Sequence, residues 1–450
     1  MRNLLRSIVF ILMFVVSFQA MPGYCQDDTD KPALSELITI SEGIDMALKN
    51  NRLIKVTLPD KEMSFQNSLV ERSALLPQLN LNATKTFYKF QAAANLSGVE
   101  TPTSERMPLS YGMDVYQTLF DFGKSLFNFK ASRDLVEATK ANIESVKRIV
   151  TLEVVTMYFN LLESEKMIAV FEKEAESLFS YLNDIERLYT HGAAVKNDLL
   201  PAQVRLADAK QRLITANNEK EIAAARLKNI LALSLRDEIR VEDIEMQSPQ
   251  FPEMELAWKT AEQERPEVAF YEDQIKASVS TERAKAVENF PTIYADAGYA
   301  YGQNQFQSHQ TNMSLVLGAK MNLYDGGASV AELLKERARQ KQLKEQKVKL
   351  VEDIKLEIED SYFSLKNACE KVDVARDAVS QSEENLRVYR VKYNAGSATP
   401  TDVLAAITLQ TRAQSNYYTS DYELKRNYAK LMYSMGIDLS LIYSRMEKQK

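Results

Sequence analysis

The sequence predicts a mainly α-helical chain with some membrane-type β-structure, built from two tandem repeats of helix, strand, strand, long helix and helix. Three observations predict it. One is self-similarity at a fixed offset. Another is a pair of very long stretches free of helix breakers. The third is a set of four short segments in clean apolar–polar alternation.

A fixed internal period decides the architecture before any local reading. Leu119-Phe120-Asp121-Phe122-Gly123 recurs as Leu323-Tyr324-Asp325-Gly326-Gly327, an offset of 204. Glu153 and Tyr158-Phe159-Asn160-Leu161 recur as Glu357 and Tyr362-Phe363-Ser364-Leu365 at the same offset. So do Tyr189, Gly192, Asp198, Leu200 and Ala202, as Tyr393, Gly396, Asp402, Leu404 and Ala406. Upstream, Leu76-Pro77-Gln78-Leu79 matches Phe290-Pro291-Thr292-Ile293 at 214, so the first repeat carries about ten extra residues between Pro77 and Asp121. The expected division is a first repeat over 34–235, a linker over 236–255, a second repeat over 256–440 and a polar tail over 441–450.

Neither Lys124 to His191 nor Ala328 to Ala395 contains Gly or Pro. Each is long enough for one helix of about 100 Å at 1.5 Å per residue. Both are rich in Ala, Glu, Lys, Leu and Arg, as coiled-coil helices are.

The alternating segments are expected near 78–90, 110–120, 291–301 and 312–324. In the first, Leu79, Leu81 and Ala83 oppose Gln78, Asn80, Asn82 and Thr84. The second sets Tyr111, Met113, Val115 and Leu119 against Gly112, Asp114 and Thr118. Ile293, Ala295, Ala297, Tyr299 and Tyr301 line one side of the third. Met313, Leu315, Leu317, Ala319, Met321 and Leu323 line one side of the fourth. Barrel strands with apolar residues toward lipid show this period, and so does a soluble half-buried sheet. On the membrane reading Leu315, Leu317 and Met321 face lipid, and Tyr111, Tyr299 and Tyr301 sit at its boundary. Four antiparallel strands cannot close a membrane barrel alone, and open edges are not tolerated in lipid. Copies must pool strands, and three copies give twelve. The connections Gln91 to Pro108 and Gly302 to Thr311 are polar and would face outside the cell.

The first 25 residues read as a secretory signal. Arg2 and Arg6 give a basic start, and Ile8 to Phe18 an apolar run too short to span a bilayer. Cleavage after Cys25 or after Ala20 would fit, and a lipoprotein site at Cys25 is disfavoured by Tyr24. Losing the signal takes the net charge from −6 to −8 and leaves Cys369 as the one cysteine. An acidic chain is a poor partner for nucleic acid. A lone cysteine excludes an intrachain disulfide and a cysteine metal site. His191 and His309 are the only histidines, and nothing places a nucleophile beside either. Phe122-Gly123-Lys124-Ser125 lacks the earlier glycine of a phosphate loop, which Thr118 occupies. No enzyme activity, cofactor or metal is expected.

Local signals also mark the turns. Gly192 and Gly396 suit helix C-caps, and Asp198 and Asp402 stand where the following helices begin. Asp121 and Asp325, with Gly123 and Gly327, mark turns from strand to helix.

In this order, the elements resemble the TolC family of outer-membrane factors over nearly the whole mature chain. Ile38-Thr39-Ile40-Ser41-Glu42-Gly43 through Asn51 resembles the family's opening helix. Arg265-Pro266-Glu267-Val268 resembles the opening of its second repeat. Leu75-Leu76-Pro77-Gln78-Leu79 and Leu323-Tyr324-Asp325-Gly326-Gly327 resemble the start and end of its strands. The resemblance implies a homotrimer with a twelve-stranded barrel in outer-membrane lipid and a helical barrel in the periplasm. It implies a passive duct for efflux or type I secretion, docked on a periplasmic adaptor and an inner-membrane transporter. The docking tips would be Gly192, Asp198, Leu199, Gly396, Asp402 and Val403. Asp402 matches one member of the family's acidic pore ring, whereas a second acidic position holds Ala405 and a gating arginine position holds Ala398. The competing expectation is a soluble periplasmic coiled-coil adaptor or scaffold, which would not need Leu315, Leu317 and Met321 facing lipid.

Overall fold

A computed structural model of the chain describes residues 37–448 except 193, 247, 248 and 250. The signal expected over 1–25 lies outside the described residues.

The first repeat begins with α1 (Ile40–Asn50) and α2 (Arg52–Ser73). Four strands follow: β1 (Gln78–Lys85), β2 (Ala93–Leu96), β3 (Val99–Pro102) and β4 (Leu109–Phe120). A helical hairpin of α3 (Lys124–Thr190) and α4 (Lys196–Ile230) ends it. The second repeat runs through α5 (Met254–Glu264), α6 (Pro266–Ala286), β5 (Thr292–Gly302), β6 (Thr311–Lys320), α7 (Ala328–Asn394) and α8 (Pro400–Ser434). A last helix, α9, spans Leu439–Lys448.

The sequence offsets reappear in the element boundaries. The starts of α1, α2 and β1 map onto α5, α6 and β5 at 214, and both ends of α3 and α4 map onto α7 and α8 at 204. The ten surplus residues lie between β1 and β4, where the chain folds into the small β2–β3 hairpin. Sequence patterning did not reveal that hairpin. The unbroken stretches each form one 67-residue helix, about 100 Å long.

Two apolar cores hold the helices. The larger one gathers α1, α3, α8 and α9 around Tyr158, Phe159, Tyr422 and Tyr443, all about 1% exposed. Phe159 meets the Tyr422 and Tyr443 rings at 6.4 and 6.2 Å. The smaller core lies at the hairpin ends and draws Leu178, Tyr181 and Ile185 of α3 against Ala202, Leu206, Val403, Leu404 and Ile407.

Two expected boundaries need correction. Residues 441–448 are not a polar tail. They belong to α9, whose Tyr443 is buried in the larger core and whose Glu447 accepts the Ser41 N–H at 3.0 Å. Nor is 236–255 a bare linker. Val241 makes a parallel bridge to Ile38, Val241 and Ile244 are buried, and α5 already begins at Met254. Both segments carry apolar residues that the core removes from water.

Candidate functional site: sheet face, strand-to-helix turns and helix tips

The main sheet has the order β1-β4-β5-β6, every pair antiparallel. Each repeat contributes one hairpin, and the hairpins join through β4 and β5. Among the described residues, the outer edges of β1 and β6 have no partner strand.

The register puts the alternating apolar residues on one face. Leu81, Met113, Tyr299 and Met313 lie in one row across the four strands, and Leu79, Val115, Ala297 and Leu315 in the next. Leu315 and Leu317 are each 71% exposed. A soluble sheet buries such a face, so these values separate the two readings of the period. Polar residues occupy the other face, where the Asn80 amide donates to the Asp114 carboxylate at 2.9 Å. Tyr116 and Tyr294 stack there at 5.3 Å. Gly318 makes room for that pair, since a Cβ on it would lie 2.4 Å from the Tyr294 ring.

Two of the strands, β1 and β6, end earlier than the alternation suggests. β1 stops at Lys85 rather than near 90, although Thr86 and Tyr88 still donate to the Pro108 and Arg106 carbonyls. β6 stops at Lys320 rather than 324, leaving Met321 and Leu323 exposed beyond the sheet. A bulge between Thr118 and Phe120 takes Leu119 out of register and sets Phe120 opposite Ile293. Period two continues into a connecting segment without saying where ladder bonds end. Tyr111 and Tyr301 stack at 4.6 Å near one limit of the apolar face. Phe120, Phe122 and Phe290 cluster at the other.

At the strand-to-helix turns the aspartates cap. Asp121 accepts the Gly123 N–H at 3.1 Å and the Ser125 N–H at 2.8 Å. Asp325 accepts the N–H groups of Gly327 and Ser329 at 3.1 and 2.9 Å, and also the Ser329 hydroxyl. The Ser329 hydroxyl and N–H hold the Asp325 carboxyl below its ordinary range. Ser125 and Ser329 complete these turns. Their 204-residue spacing is the sequence signal that marks them. Gly123 and Gly327 adopt φ of 88° and 90°, a region costly for other residues.

At the helix tips Gly396 takes φ 73° and donates to the Tyr393 carbonyl, while Ser397 N–H reaches the Lys392 carbonyl, a Schellman ending. Gly192, φ 72°, likewise donates to the Tyr189 carbonyl. Thr399 and Asp402 form a capping box. The Thr399 N–H and hydroxyl donate to Asp402 at 2.8 and 2.6 Å, and the Thr399 hydroxyl accepts the Asp402 N–H at 3.3 Å. These bonds from Thr399 hold the Asp402 carboxyl below its ordinary range. Asp198 caps α4 by accepting the Val195 N–H at 3.2 Å. Among the expected docking residues, Gly192 and Gly396 are exposed and Leu199 packs partly on the tip core. Val403 needs correction: it is 2% exposed, turned inward with Leu404 and Ile407, and presents no outer surface. Val195 and Leu200 are exposed apolar residues of the first tip.

The outer membrane efflux protein family matches residues 43–233 and 258–437. This chain belongs to that family. It is accordingly an outer-membrane channel protein whose long helices form a periplasmic portion, and the scaffold alternative is not favoured. Outer membrane protein TolC of Escherichia coli (strain K12) is 19% identical over 424 residues, covering 90% of this chain and 83% of TolC. The alkaline protease secretion protein AprF of Pseudomonas aeruginosa is 20% identical, covering 89% of this chain and 86% of AprF. Among solved structures, the CmeC outer membrane channel of Campylobacter jejuni superposes with a TM-score of 0.79 at 15% identity, covering 91% of this chain and 88% of CmeC. The OprN channel gives 0.79 at 16% identity, covering 88% and 89%. These superpositions show a shared fold.

Two polar centres of this efflux-family chain escaped sequence reading. Asp243, from the segment between repeats, meets Lys166 of α3 at 3.1 Å and Lys425 of α8 at 3.2 Å, and accepts the Tyr422 hydroxyl at 2.9 Å. Burial would raise its carboxyl, but Lys425 and the hydrogen bonds of Lys166 and Tyr422 outweigh burial and hold it low. Arg265 is buried between Glu267 at 3.0 Å and Glu357 at 3.1 Å, with the Tyr433 ring 4.9 Å away. Its repeat counterpart Asn51 donates to the Ile230 carbonyl at 2.8 Å, as Arg265 donates to the matching Ser434 carbonyl at 3.4 Å.

Proposed function

We propose that three copies of this chain close into a twelve-stranded barrel and a helical tunnel, forming a passive duct through the outer membrane. The observation that carries this reading is the junction between the repeats. The exit strand of the first repeat, β4, pairs with the entering strand of the second, β5. The unpaired β6 and β1 edges are the same two kinds of strand, so β6 of one copy suits β1 of the next. The helices repeat the logic. Phe159 is 1% exposed, whereas its counterpart Phe363 is 59% exposed. Val170 and Leu404 are buried, whereas Val374 and Leu200 are exposed. Within the chain, α8 covers α3. An α4 from a neighbour would cover α7 in the same way. A barrel also leaves no open edge in lipid.

The duct does no chemistry in this reading. The tips around Gly192 and Gly396 meet a periplasmic adaptor joined to an inner-membrane transporter, as the family resemblance implies. Three Asp402 side chains, fixed by their caps, would narrow the mouth and favour cations. Cross-linking tests the assembly. Cysteines at Ala319 of β6 and Ala83 of β1, the repeat counterparts of the facing pair Val115 and Ala297, are expected to give covalent trimers in native membranes. Only intrachain products, or recovery of the chain in the soluble periplasm, would refute it.

A further inference from the structure

Val316 breaks the alternation of β6. It falls on the polar face of the sheet, between Ser314 and Gly318, yet it is apolar and 47% exposed. Its register partner on β5 is Asp296, and the partner of Asp296 on β4 is Tyr116. Tyr294 stands one row away on the same face, and its ring stacks on Tyr116. Positions directly opposite lie about 5 Å apart and diagonal ones about 7–8 Å. The Asp296 carboxylate is therefore bordered by two phenol rings and a valine. Its other neighbours on this face include Gly298 and Gly318, which carry no side chain and leave the space beside it open.

The charges around this patch are uneven. Asp114, on the diagonal from Asp296, already accepts the Asn80 amide at 2.9 Å. Lys320, the one lysine or arginine on this face of the four strands, pairs in register with Thr292. Four residues separate Thr292 from Asp296, about 14 Å along the strand. That is beyond the distance over which exposed charges neutralise each other, about 8–10 Å. A bare metal ion would keep its hydration shell and gain nothing from Val316. A sugar needs several donors and acceptors around its ring, and a carboxylate only accepts. A cation that carries its own aromatic rings uses every element of the patch: charge on Asp296, ring faces on the tyrosines and apolar surface on Val316.

We propose that Asp296, Tyr116, Tyr294 and Val316 form a binding station for organic cations bearing aromatic rings. The station lies within one chain. It rests on the duct proposed above only in that this face then lines the lumen.

Channel block tests it, with the assembled protein in planar bilayers. Tetraphenylphosphonium is compared with tetrabutylammonium, a cation of equal charge without rings, and with sucrose. Tetraphenylphosphonium is expected to block at about tenfold lower concentration than tetrabutylammonium, and sucrose at neither concentration. Asp296→Asn and Tyr116→Leu should each raise its blocking concentration about tenfold, while Tyr116→Phe, which keeps the ring, should not. Asp114→Asn should act more weakly than Asp296→Asn. Equal block by the two cations, or block by sucrose, would overturn the proposal. So would equal weakening by Asp114→Asn and Asp296→Asn, which would leave only a generally acidic lumen. If Tyr116→Leu does not insert, Val316→Ser carries the same test. It should lower the preference for the aromatic cation about threefold, and an unchanged preference would overturn the station. A parent protein that gives no channels would instead refute the assembly itself, so the two failures are distinct.

Discussion

Phe159 and Phe363 occupy equivalent places, and replacing each by alanine separates folding from assembly. Phe159 is fully buried between Tyr422 and Tyr443. Its truncation removes core packing and should cost about 3–5 kcal/mol of chain stability. Phe363 keeps 59% of its surface exposed in the single chain. A phenylalanine offers about 200 Å², so about 120 Å² remains to be covered by a neighbour. At about 25 cal/mol per Å² that is ~3 kcal/mol per seam, and three seams give ~9 kcal/mol per assembly. Phe363→Ala should therefore leave helix content and chain folding near normal and sharply weaken the trimer. Circular dichroism reads the first quantity, and native mass spectrometry across a detergent and temperature series the second. A Phe363→Ala trimer as heat-resistant as the parent would refute the covering of α7 by a neighbouring α4.

Other expectations follow from single contacts. Leu317→Arg on the apolar face should cost about 2–4 kcal/mol if it lies near mid-bilayer, read as lost trimer yield from membranes; a normal yield would reverse the assigned face. Gly318→Ala drives a Cβ into the Tyr294 ring and should cost about 1–3 kcal/mol, with Tyr294→Ala restoring most of it. Asp121→Ala removes a helix cap worth about 1 kcal/mol, visible as a lower midpoint in thermal unfolding of the extracted chain. The Asp243 carboxyl is held below its ordinary value. The stability it contributes is therefore complete above about pH 4 and is lost as the pH falls through its lowered value. Asp243→Asn should flatten the acid limb of a stability-versus-pH profile, and an identical limb would sink that assignment.

Much of this architecture was legible because it is written twice. Offsets of 204 and 214 located the long helices and both strand starts within a residue or two. Gly and Pro placement located the tips. What escaped has no local signature. Lys320 ends β6 where strand pairing stops, not where alternation stops. Asp243 finds Lys166 and Lys425 only after the inter-repeat segment crosses the core, and its neighbours in sequence do not announce that. Val403 and Leu199 are adjacent to the tip turns in sequence, yet helix phase turns Val403 fully inward. Tyr443 lies in a short, charge-flanked segment that reads as solvated until α9 packs.

The segment over 231–253 also sets how many bodies must meet. In the proposed three-copy ring, six free half-units would need five associations to join, each forfeiting rigid-body freedom worth about 4–15 kcal/mol. Joined in pairs, only three bodies need to find one another. The covalent tether further restricts the ring to even numbers of half-units, so a five-membered or seven-membered closure is barred by connectivity rather than by fit.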